Sequence, residues 1–378
     1  MRLARPGAGP EALLLQLLRG VPPGGSGGRW PAPEDPRWEG ALGLAERHGV
    51  APLLHASASV LAHVPRQVVA RLKQARVAEL RREQQREAVL TRALTALAGD
   101  QGSAPVPALL IKGAASARTL YPAPELRPRA DLDLLVLPRD AALARERLAR
   151  AGFVHHAVTR GTPEDDPAWH EHTLHDPDAA EAVIDLHQGL LQRERHGLPP
   201  GPLLLRGVRE PGLPGATLLP APEDALLVCA LSLAAHELQS PLVVASDLAR
   251  LLPRCDQRLL AARAREGRVA RALALALTWL LLVAGGEAGA EVVLLADAPV
   301  ERARVRGLLA LLGLRSPTWL LLDRLAGRYD LRRLPLARPE QLARKALLLD
   351  RPADVARFAV ATLRRGLGRR LHRVRPAE

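Results

Sequence analysis

Apolar side chains recur every three to five residues along the stretch from residue 38 to residue 98. Val68, Leu72 and Ala75 fall on one side of this pattern, and charged residues between the apolar ones, such as Glu83, are interpreted as its solvent-facing side. Spacing close to the helical period is typical of amphipathic helices. The pattern therefore predicts helices over residues 38–98.

A connector rich in glycine and proline, residues 20–36, precedes these helices and follows a short leucine-rich helix. Such a composition favours a flexible link. Glu11 and Gln16 interrupt the apolar residues near the N-terminus, so no signal-peptide core is expected. Residues 1–105 are predicted to form a helical N-terminal region.

The pattern changes at Pro105, where short apolar runs typical of buried strands begin. Strands are predicted at residues 106–111, 131–137, 153–159 and 182–187, with a short piece around Thr173, and helices at residues 114–120 and 139–151. Mixed elements of this kind indicate an α+β unit built on a small mixed β-sheet. The predicted core spans residues 106–200.

Residues 197–215 contain five prolines and five glycines and are predicted to be a loop. From residue 215 to residue 378 every apolar pattern is helical, which predicts an all-α C-terminal domain. Its helices are expected at residues 226–238, 243–252, 259–283, 300–312 and 352–374.

Asp131 and Asp133 are the first residues along the chain whose pattern indicates a chemical role. Side chains two apart on a strand share a face, so both carboxylates project together while Leu132 and Leu134 enter the core. Like charges so close repel each other unless a cation lies between them. Mg²⁺ prefers oxygen ligands, and two carboxylates with triphosphate oxygens would complete its shell. The pair predicts a magnesium site.

Lys112 and Gly113 end the preceding strand and open a helix, where free backbone N–H groups favour phosphate. Ser116, one turn further, has a hydroxyl that can donate to a phosphate oxygen. Arg127 and Arg129 have the guanidinium geometry for phosphates, with plain solvent exposure as the alternative in so arginine-rich a chain. Lys112, Gly113, Ser116 and Arg127 are therefore the predicted triphosphate-binding residues.

Six of the twelve histidines lie between residues 155 and 187. His170 and His172 share a strand face and could bind Zn²⁺, although no cysteine accompanies them. The preferred interpretation gives these histidines surface or supporting roles, with His187 orienting Asp185.

Several of these segments resemble the uncharacterised nucleotidyltransferase family of the polymerase-beta superfamily. The sharpest matches are residues 110–121 (LIKGAASARTLY), 126–136 (LRPRADLDLLV) and 183–187 (VIDLH). Residues 46–53 (ERHGVAPL) and 219–224 (LPAPED) are similar to it as well.

That resemblance implies a nucleotidyltransferase fold in which Asp131 and Asp133 are paired metal ligands and Asp185 is the third carboxylate. Alternation along residues 183–187 supports it, because Asp185 cannot be in the core if Ile184 and Leu186 are. The sequence departs from the wider superfamily at Ala114, where a serine or glycine usually follows the glycine.

The net charge of +13 is concentrated at one end, because residues 301–378 hold 19 basic and seven acidic side chains. An anionic partner, either nucleic acid or a membrane surface, would suit this tail. The simpler interpretation is a basic helix at residues 352–374 that packs on the helical domain through its leucines. Residues 272–286, the longest uncharged run, are too short to span a bilayer and are predicted to be a buried helix.

Cys229 and Cys255 are the only cysteines, too few for a disulfide framework, which fits a reducing cytoplasm. The predicted function is Mg²⁺-dependent transfer of a nucleotidyl group from a nucleoside triphosphate to an unknown acceptor, with release of pyrophosphate. The alternatives are a non-catalytic nucleotide-binding protein that keeps the fold, and an anion-binding helical protein that acts through its basic C-terminus.

Overall fold

The structure is a computed structural model and describes residues 9–20, 22, 28–62, 64–100, 102–155, 170–191, 196–236, 240–284, 349, 353–357 and 360. Within these residues, helices surround one mixed sheet. This mixed α/β architecture agrees with the α+β class expected from the sequence.

The described strands form one sheet of seven. They are β1 Ala108–Leu110, β2 Asp131–Leu135, β3 Val154–His155, β4 Glu171–Asp176, β5 Ala179–His187, β6 Val208–Arg209 and β7 Thr217–Leu219. Their order is β3-β4-β5-β2-β1-β7-β6. β2 runs parallel to β5 and antiparallel to β1, so the sheet is mixed. β4 pairs antiparallel with β3 and β5, while β7 is parallel to β1 and antiparallel to β6.

The helices of the described residues are α1 Pro10–Arg19, α2 Arg37–Arg47, α3 Ala51–Ala56, α4 Ala58–Leu61, α5 Arg66–Ala98, α6 Lys112–Thr119, α7 Ala141–Arg150, α8 Pro200–Arg206, α9 Pro222–Ala235, α10 Val243–Leu251, α11 Gln257–Glu266 and α12 Ala270–Ala284. Residues in or just before the first turn determine where some of these helices begin. Pro222 occupies the first turn of α9, and Asp256 caps α11 by accepting from the backbone N–H groups of Arg258 and Leu259.

Two apolar cores hold these layers together. One lies between the sheet, the second half of α5 and α7, with Leu90, Leu134 and Ile184 fully buried. The other unites the N-terminal helices with α9, α10 and α12. Arg19 of α1 donates from Nε to the carbonyl of Val283 in α12 over 2.8 Å. The helices before and after the sheet therefore share one core.

Some predicted elements are wrong in detail. The predicted loop over residues 197–215 contains α8 and β6, and β7 adds a strand where only helices were expected. Short strands in Pro- and Gly-rich sequence carry too little periodicity to be recognised. The long helix predicted at residues 259–283 is two helices, broken at Arg268, whose φ is 54°.

The last two predicted C-terminal helices lie wholly or mostly outside the described residues. The helix at residues 300–312 and most of the helix at residues 352–374 lie outside the described residues, although residues 353–357 are helical. In the part of the chain that the structure describes, no helix combines the length and the apolar character needed to cross a membrane.

Candidate metal and nucleotide site

Three carboxylates meet where β2 and β5 lie side by side. The parallel register places Asp133 opposite Asp185, and Asp131 lies two residues earlier on the same face of β2. Asp131, Asp133 and Asp185 each offer an oxygen, and the three oxygens lie within 4.8 Å of one another. The convergence expected from strand alternation is thus observed. The burial of Ile184 and Leu186 on the opposite face explains it, since it turns Asp185 away from the core.

Asp133 is the most buried member, with 1% of its side chain exposed. Its Oδ1 lies 2.6 Å from Lys112 Nζ and 2.8 Å from His187 Nε2. Burial alone would raise the pKa of Asp133, but the lysine charge and the histidine contact outweigh it and lower the pKa to about 2. Burial also disfavours the Lys112 ammonium, yet the charge of Asp133 raises the pKa of that lysine above its usual value.

The pKa of Asp131 shifts in the opposite direction to that of Asp133. Burial, followed by the negative charge of Asp133, raises the pKa of Asp131 to about 6. The carboxylate is thus held in a place that disfavours its own charge. A bound cation would relieve that cost, which makes the pair a reasonable metal site on physical grounds.

Asp185 accepts a hydrogen bond from Thr173 Oγ1 over 2.8 Å. Burial and the nearby charge of Glu171 raise the pKa of Asp185. The sequence interpretation gave His187 the task of orienting Asp185, and that assignment is wrong. His187 Nε2 bonds to Asp133 instead, because residues 185 and 187 project side by side from β5 and the histidine reaches across to β2.

The turn into α6 places Lys112 and Gly113 beside the carboxylates of β2. Lys112 has a φ of 50°, a left-handed conformation that a lysine rarely adopts and that costs roughly 1 kcal/mol or more. Its ion pair with Asp133 holds it there. A side chain at position 113 would meet Arg127 Nη1 at 3.0 Å and Arg129 Cβ at 3.3 Å. Glycine therefore lets the two arginines pack against the start of the helix.

Arg127 is bound within the protein. Its Nη2 donates to Asp247 Oδ2 over 2.6 Å, and its Nε donates to the same oxygen over 2.9 Å. Tyr121 Oη donates to Asp247 Oδ1 over 2.7 Å, and Arg127 Nη1 donates to the carbonyl of Pro128. Asp247 is fully buried. The alternative of a solvated Arg127 is excluded, and its guanidinium joins the loop before β2 to α10.

The sequence pattern did not predict a second buried ionic network. Glu83, interpreted as solvent-facing, is 6% exposed and accepts from Arg129 Nη2 over 2.8 Å. Arg86, also buried, donates to Glu83 over 3.1 Å, to the carbonyl of Arg129 over 3.0 Å, and to Glu79. Charged residues in a helical pattern read as surface, and only the tertiary partner reveals that they face inward. The network ties the middle of α5 to the loop that leads into Asp131.

A cleft of about 540 Å³ opens in front of Asp131 and Asp133. Its described lining includes Lys112, Gly113, Arg127, Asp131 and Asp133, and the far walls come from the turn after α2 and the start of α10. The volume falls within the roughly 300–1,000 Å³ of small-molecule sites.

The remaining predicted ligands lie elsewhere. Ser116 is buried and is not among the described residues that line this cleft. His172 is also buried and meets His155 edge to face at 5.8 Å between ring centroids. Among the described residues, the three aspartates are the one group of potential ligands close enough to share a metal ion, so a zinc site at His170 and His172 gains no support.

Three clustered carboxylates on a mixed sheet, two of which line a cleft, could hold a divalent metal, as in nucleotidyltransferases. Comparison with known families agrees. A family model described as "uncharacterised nucleotidyltransferase" matches residues 34–283. The chain belongs to this family of transferases. No curated protein sequence matches it.

Proposed function

We propose that the protein transfers a nucleotidyl group from a nucleoside triphosphate to an acceptor in a Mg²⁺-dependent reaction that releases pyrophosphate. The observation that carries this proposal is the convergence of Asp131, Asp133 and Asp185, whose ligand oxygens lie within 4.8 Å of one another, with Asp131 and Asp133 lining the cleft.

The three carboxylates fit a hard divalent cation. All their donor atoms are oxygens, the ligand type that Mg²⁺ prefers. The raised pKa of Asp131, about 6, records an electrostatic cost that a cation would remove. When bound, the metal would neutralise the charge that develops on the attacking and leaving oxygens. Asp131, Asp133 and Asp185 are its proposed ligands.

The triphosphate is proposed to bind at the start of α6. Lys112 and Arg127 place two positive charges on the cleft wall, and Gly113 lies between them without a side chain to block the backbone. Arg127 has five N–H donors and uses three of them inside the protein, so it can still face a phosphate as a fixed positive charge. The role of Ser116 as a phosphate donor stays a prediction, given its burial.

The transfer itself forms one bond and breaks another. A nucleophilic oxygen or nitrogen of the acceptor would attack the α-phosphorus, and the bond from that phosphorus to the oxygen bridging to the β-phosphate would break. The proton of the nucleophile needs a base. Asp185 is the proposed one, through the carboxylate oxygen that is not bound to the metal, since its carboxylate lies beside the pair on β2.

An assay with α-labelled nucleoside triphosphates and Mg²⁺ tests the proposal. The expected result is pyrophosphate release and covalent label on an acceptor from a cell extract. Asp185→Asn should lower the rate at least about a hundredfold, as expected for loss of a general base. Asp100→Asn, an exposed control on the turn after α5, should match the wild type. A triphosphate that binds and is never turned over would favour the non-catalytic alternative.

A further inference from the structure

The loop that leads into β2, residues 127–130, is part of the cleft wall, and all four of its residues line the cleft. Asp131, the first residue of β2, follows it directly. Because consecutive Cα atoms lie about 3.8 Å apart, a shift of the loop moves the backbone that carries this carboxylate. The contacts that hold loop 127–130 therefore bear on the position of a proposed metal ligand.

Asp131 depends on its backbone more than Asp133 does. The carboxylate of Asp133 lies 2.6 Å from Lys112 Nζ and 2.8 Å from His187 Nε2, so two partners hold its side chain. The carboxylate of Asp131, in contrast, makes no hydrogen bond or ion pair with any residue that the structure describes. Its place beside the other two aspartates is therefore set by the strand and the loop that carry it.

The sheet holds the start of β2 from one side. β5 pairs with β2 from Asp131 onwards, whereas the pairing of β2 with β1 begins at Leu134. A further hydrogen bond from the side of β1 runs from the Ile111 N–H to the carbonyl of Asp133 over 3.1 Å. In the described part of the chain, Asp131 thus has a paired strand on one side, which leaves loop 127–130 as the other constraint on its backbone.

Arg86 of α5 holds this loop. The residue is 4% exposed, and its Nη1 donates to the carbonyl of Arg129 over 3.0 Å. Its Nε donates to Glu83 Oε2 over 3.1 Å, and Glu83 Oε1 accepts from Arg129 Nη2 over 2.8 Å. The other terminal nitrogen of Arg86 donates to Glu79. A planar guanidinium bound at three points has little freedom to move. Arg86 therefore fixes both the backbone and the side chain of Arg129, two residues before Asp131.

We propose that Arg86 is a positioning residue of the metal site: through loop 127–130 it holds the Asp131 carboxylate where it can share a cation with the other two aspartates. Arg86 is not among the described residues that line the cleft, so it acts through the loop alone. Loss of a partner that orients a metal ligand typically costs about 10–100-fold in metal affinity. The inference rests on the proposed function, because it needs the three aspartates to bind the metal.

Mn²⁺ titrations of the full chain by paramagnetic resonance at pH 7, without nucleotide, test the role of Arg86. We expect Arg86→Met to weaken Mn²⁺ binding about tenfold, since methionine cannot donate to the Arg129 carbonyl. Two arginines serve as controls and should keep the wild-type affinity. Arg81→Met changes an exposed arginine of α5, and Arg263→Met breaks a partly buried ion pair with Glu223, neither of which lines the cleft.

A double-mutant cycle with Asp131→Asn shows through which residue Arg86 acts. Where Asp131 is already lost as a ligand, Arg86→Met should weaken Mn²⁺ binding further by less than about twofold, because the effects of coupled residues do not add. Thermal unfolding shows whether each variant is folded. If Arg86→Met is not, Arg86→Lys is the second variant. Its single nitrogen keeps a cation between the glutamates but cannot bond to all three acceptors, so Mn²⁺ binding should still fall at least about threefold.

Three results would overturn the positioning role: wild-type Mn²⁺ affinity in a folded Arg86 variant, an equal loss of affinity in Arg263→Met, or a full tenfold further loss in the Asp131→Asn background. Each of them leaves the metal site itself in place, because the wild type still binds Mn²⁺. A wild type that binds no Mn²⁺ would instead reject the metal site of the proposed function, and the role of Arg86 with it.

Discussion

Asp131 and Asp133 project from the same face of β2, yet their pKa values move in opposite directions, to about 6 and about 2. The difference comes from Lys112 and His187, which both contact Asp133 Oδ1. Asp133 is satisfied within the protein, while Asp131 carries the electrostatic cost of the pair. Sites that bind ions often keep such a cost in the unliganded protein, where it reduces stability in favour of function.

Removing each carboxylate should therefore change the stability of the metal-free protein in opposite directions. Asp131→Asn removes a disfavoured charge and should raise the free energy of unfolding at pH 7 by about 1–2 kcal/mol, discounted for its partial exposure. Asp133→Asn leaves the Lys112 ammonium without its partner and should lower it by about 2 kcal/mol.

Urea unfolding in the presence of a chelator measures both changes, with Asp100→Asn as the exposed control, expected within about 0.5 kcal/mol of the wild type. Two losses of equal size would contradict the contrast between the carboxylates.

Metal affinity should fall as the pH falls through the pKa of Asp131. An acid whose folded-state pKa is raised holds its proton more tightly in the fold, so the proton competes with the cation below about pH 6. Asp131 is roughly 90% ionised at pH 7 and roughly 10% at pH 5, so its protonation weakens the apparent affinity by up to about tenfold. Mn²⁺ titration by paramagnetic resonance at the two pH values checks this. Affinity that does not depend on pH would show that Asp131 is not a ligand.

The shifted pKa values also make the free energy of unfolding of the metal-free protein depend on pH. Because the folded-state pKa of Asp131 lies above its unfolded value, its contribution becomes more favourable as the pH falls from 7 towards 4. The pKa of Asp133 is lowered, so its contribution is present above about pH 4 and is lost as the pH falls towards 2. The stability gained by Asp131→Asn at pH 7 should accordingly shrink at pH 5.

The pair between Arg127 and Asp247 should be strongly coupled, because both side chains are buried. Asp247→Asn leaves a buried guanidinium unpaired and should cost about 3–5 kcal/mol. A double-mutant cycle with Arg127→Gln should give a coupling energy above about 1.5 kcal/mol, within the range for groups in one network. The more exposed pair of Arg37 and Asp35 serves as the control and should show a smaller coupling. Equal coupling in both pairs would contradict a structural role for Arg127.

The start of the basic C-terminal helix should contribute packing. Asp354 is 2% exposed and forms an ion pair with Arg268, and Leu349 is buried. Asp354→Ala should lower the free energy of unfolding by about 2–3 kcal/mol, since it leaves a partly buried arginine unpaired. Arg357→Ala is the matched control, because it removes only the longer ion pair of Asp354, 3.6 Å from Arg357 Nη2, at a largely exposed side chain. If removal of residues 352–378 left stability unchanged and abolished binding to RNA or liposomes, the packing interpretation would be wrong.

The site could be predicted from the sequence where local alternation determines it. Period-two patterning put Asp131 and Asp133 on one face and turned Asp185 away from Ile184 and Leu186, and the structure shows both. Pairing of β2 with β5 then brings the three carboxylates together.

Features that depend on distant partners could not be predicted. Arg127 and Asp247 are 120 residues apart, and nothing local marks them as a pair. Glu83 and Arg86 have the composition of a solvated helix face and become buried only because α5 packs on the loop before β2. The alternation of β5 gave His187 the correct face but not its partner across the sheet. Magnesium, the acceptor and a cytoplasmic location stay predictions.

Calorimetric titration with a non-hydrolysable nucleoside triphosphate, with and without Mg²⁺, tests the central claim most directly. The carboxylates and the triphosphate repel each other without a cation between them. We therefore expect at least tenfold tighter binding with Mg²⁺ in the wild type and in Asp100→Asn, and no Mg²⁺ effect in Asp131→Asn. Equal affinity with and without Mg²⁺ in the wild type, or an undiminished Mg²⁺ effect in Asp131→Asn, would contradict a metal-dependent nucleotide site at the three aspartates.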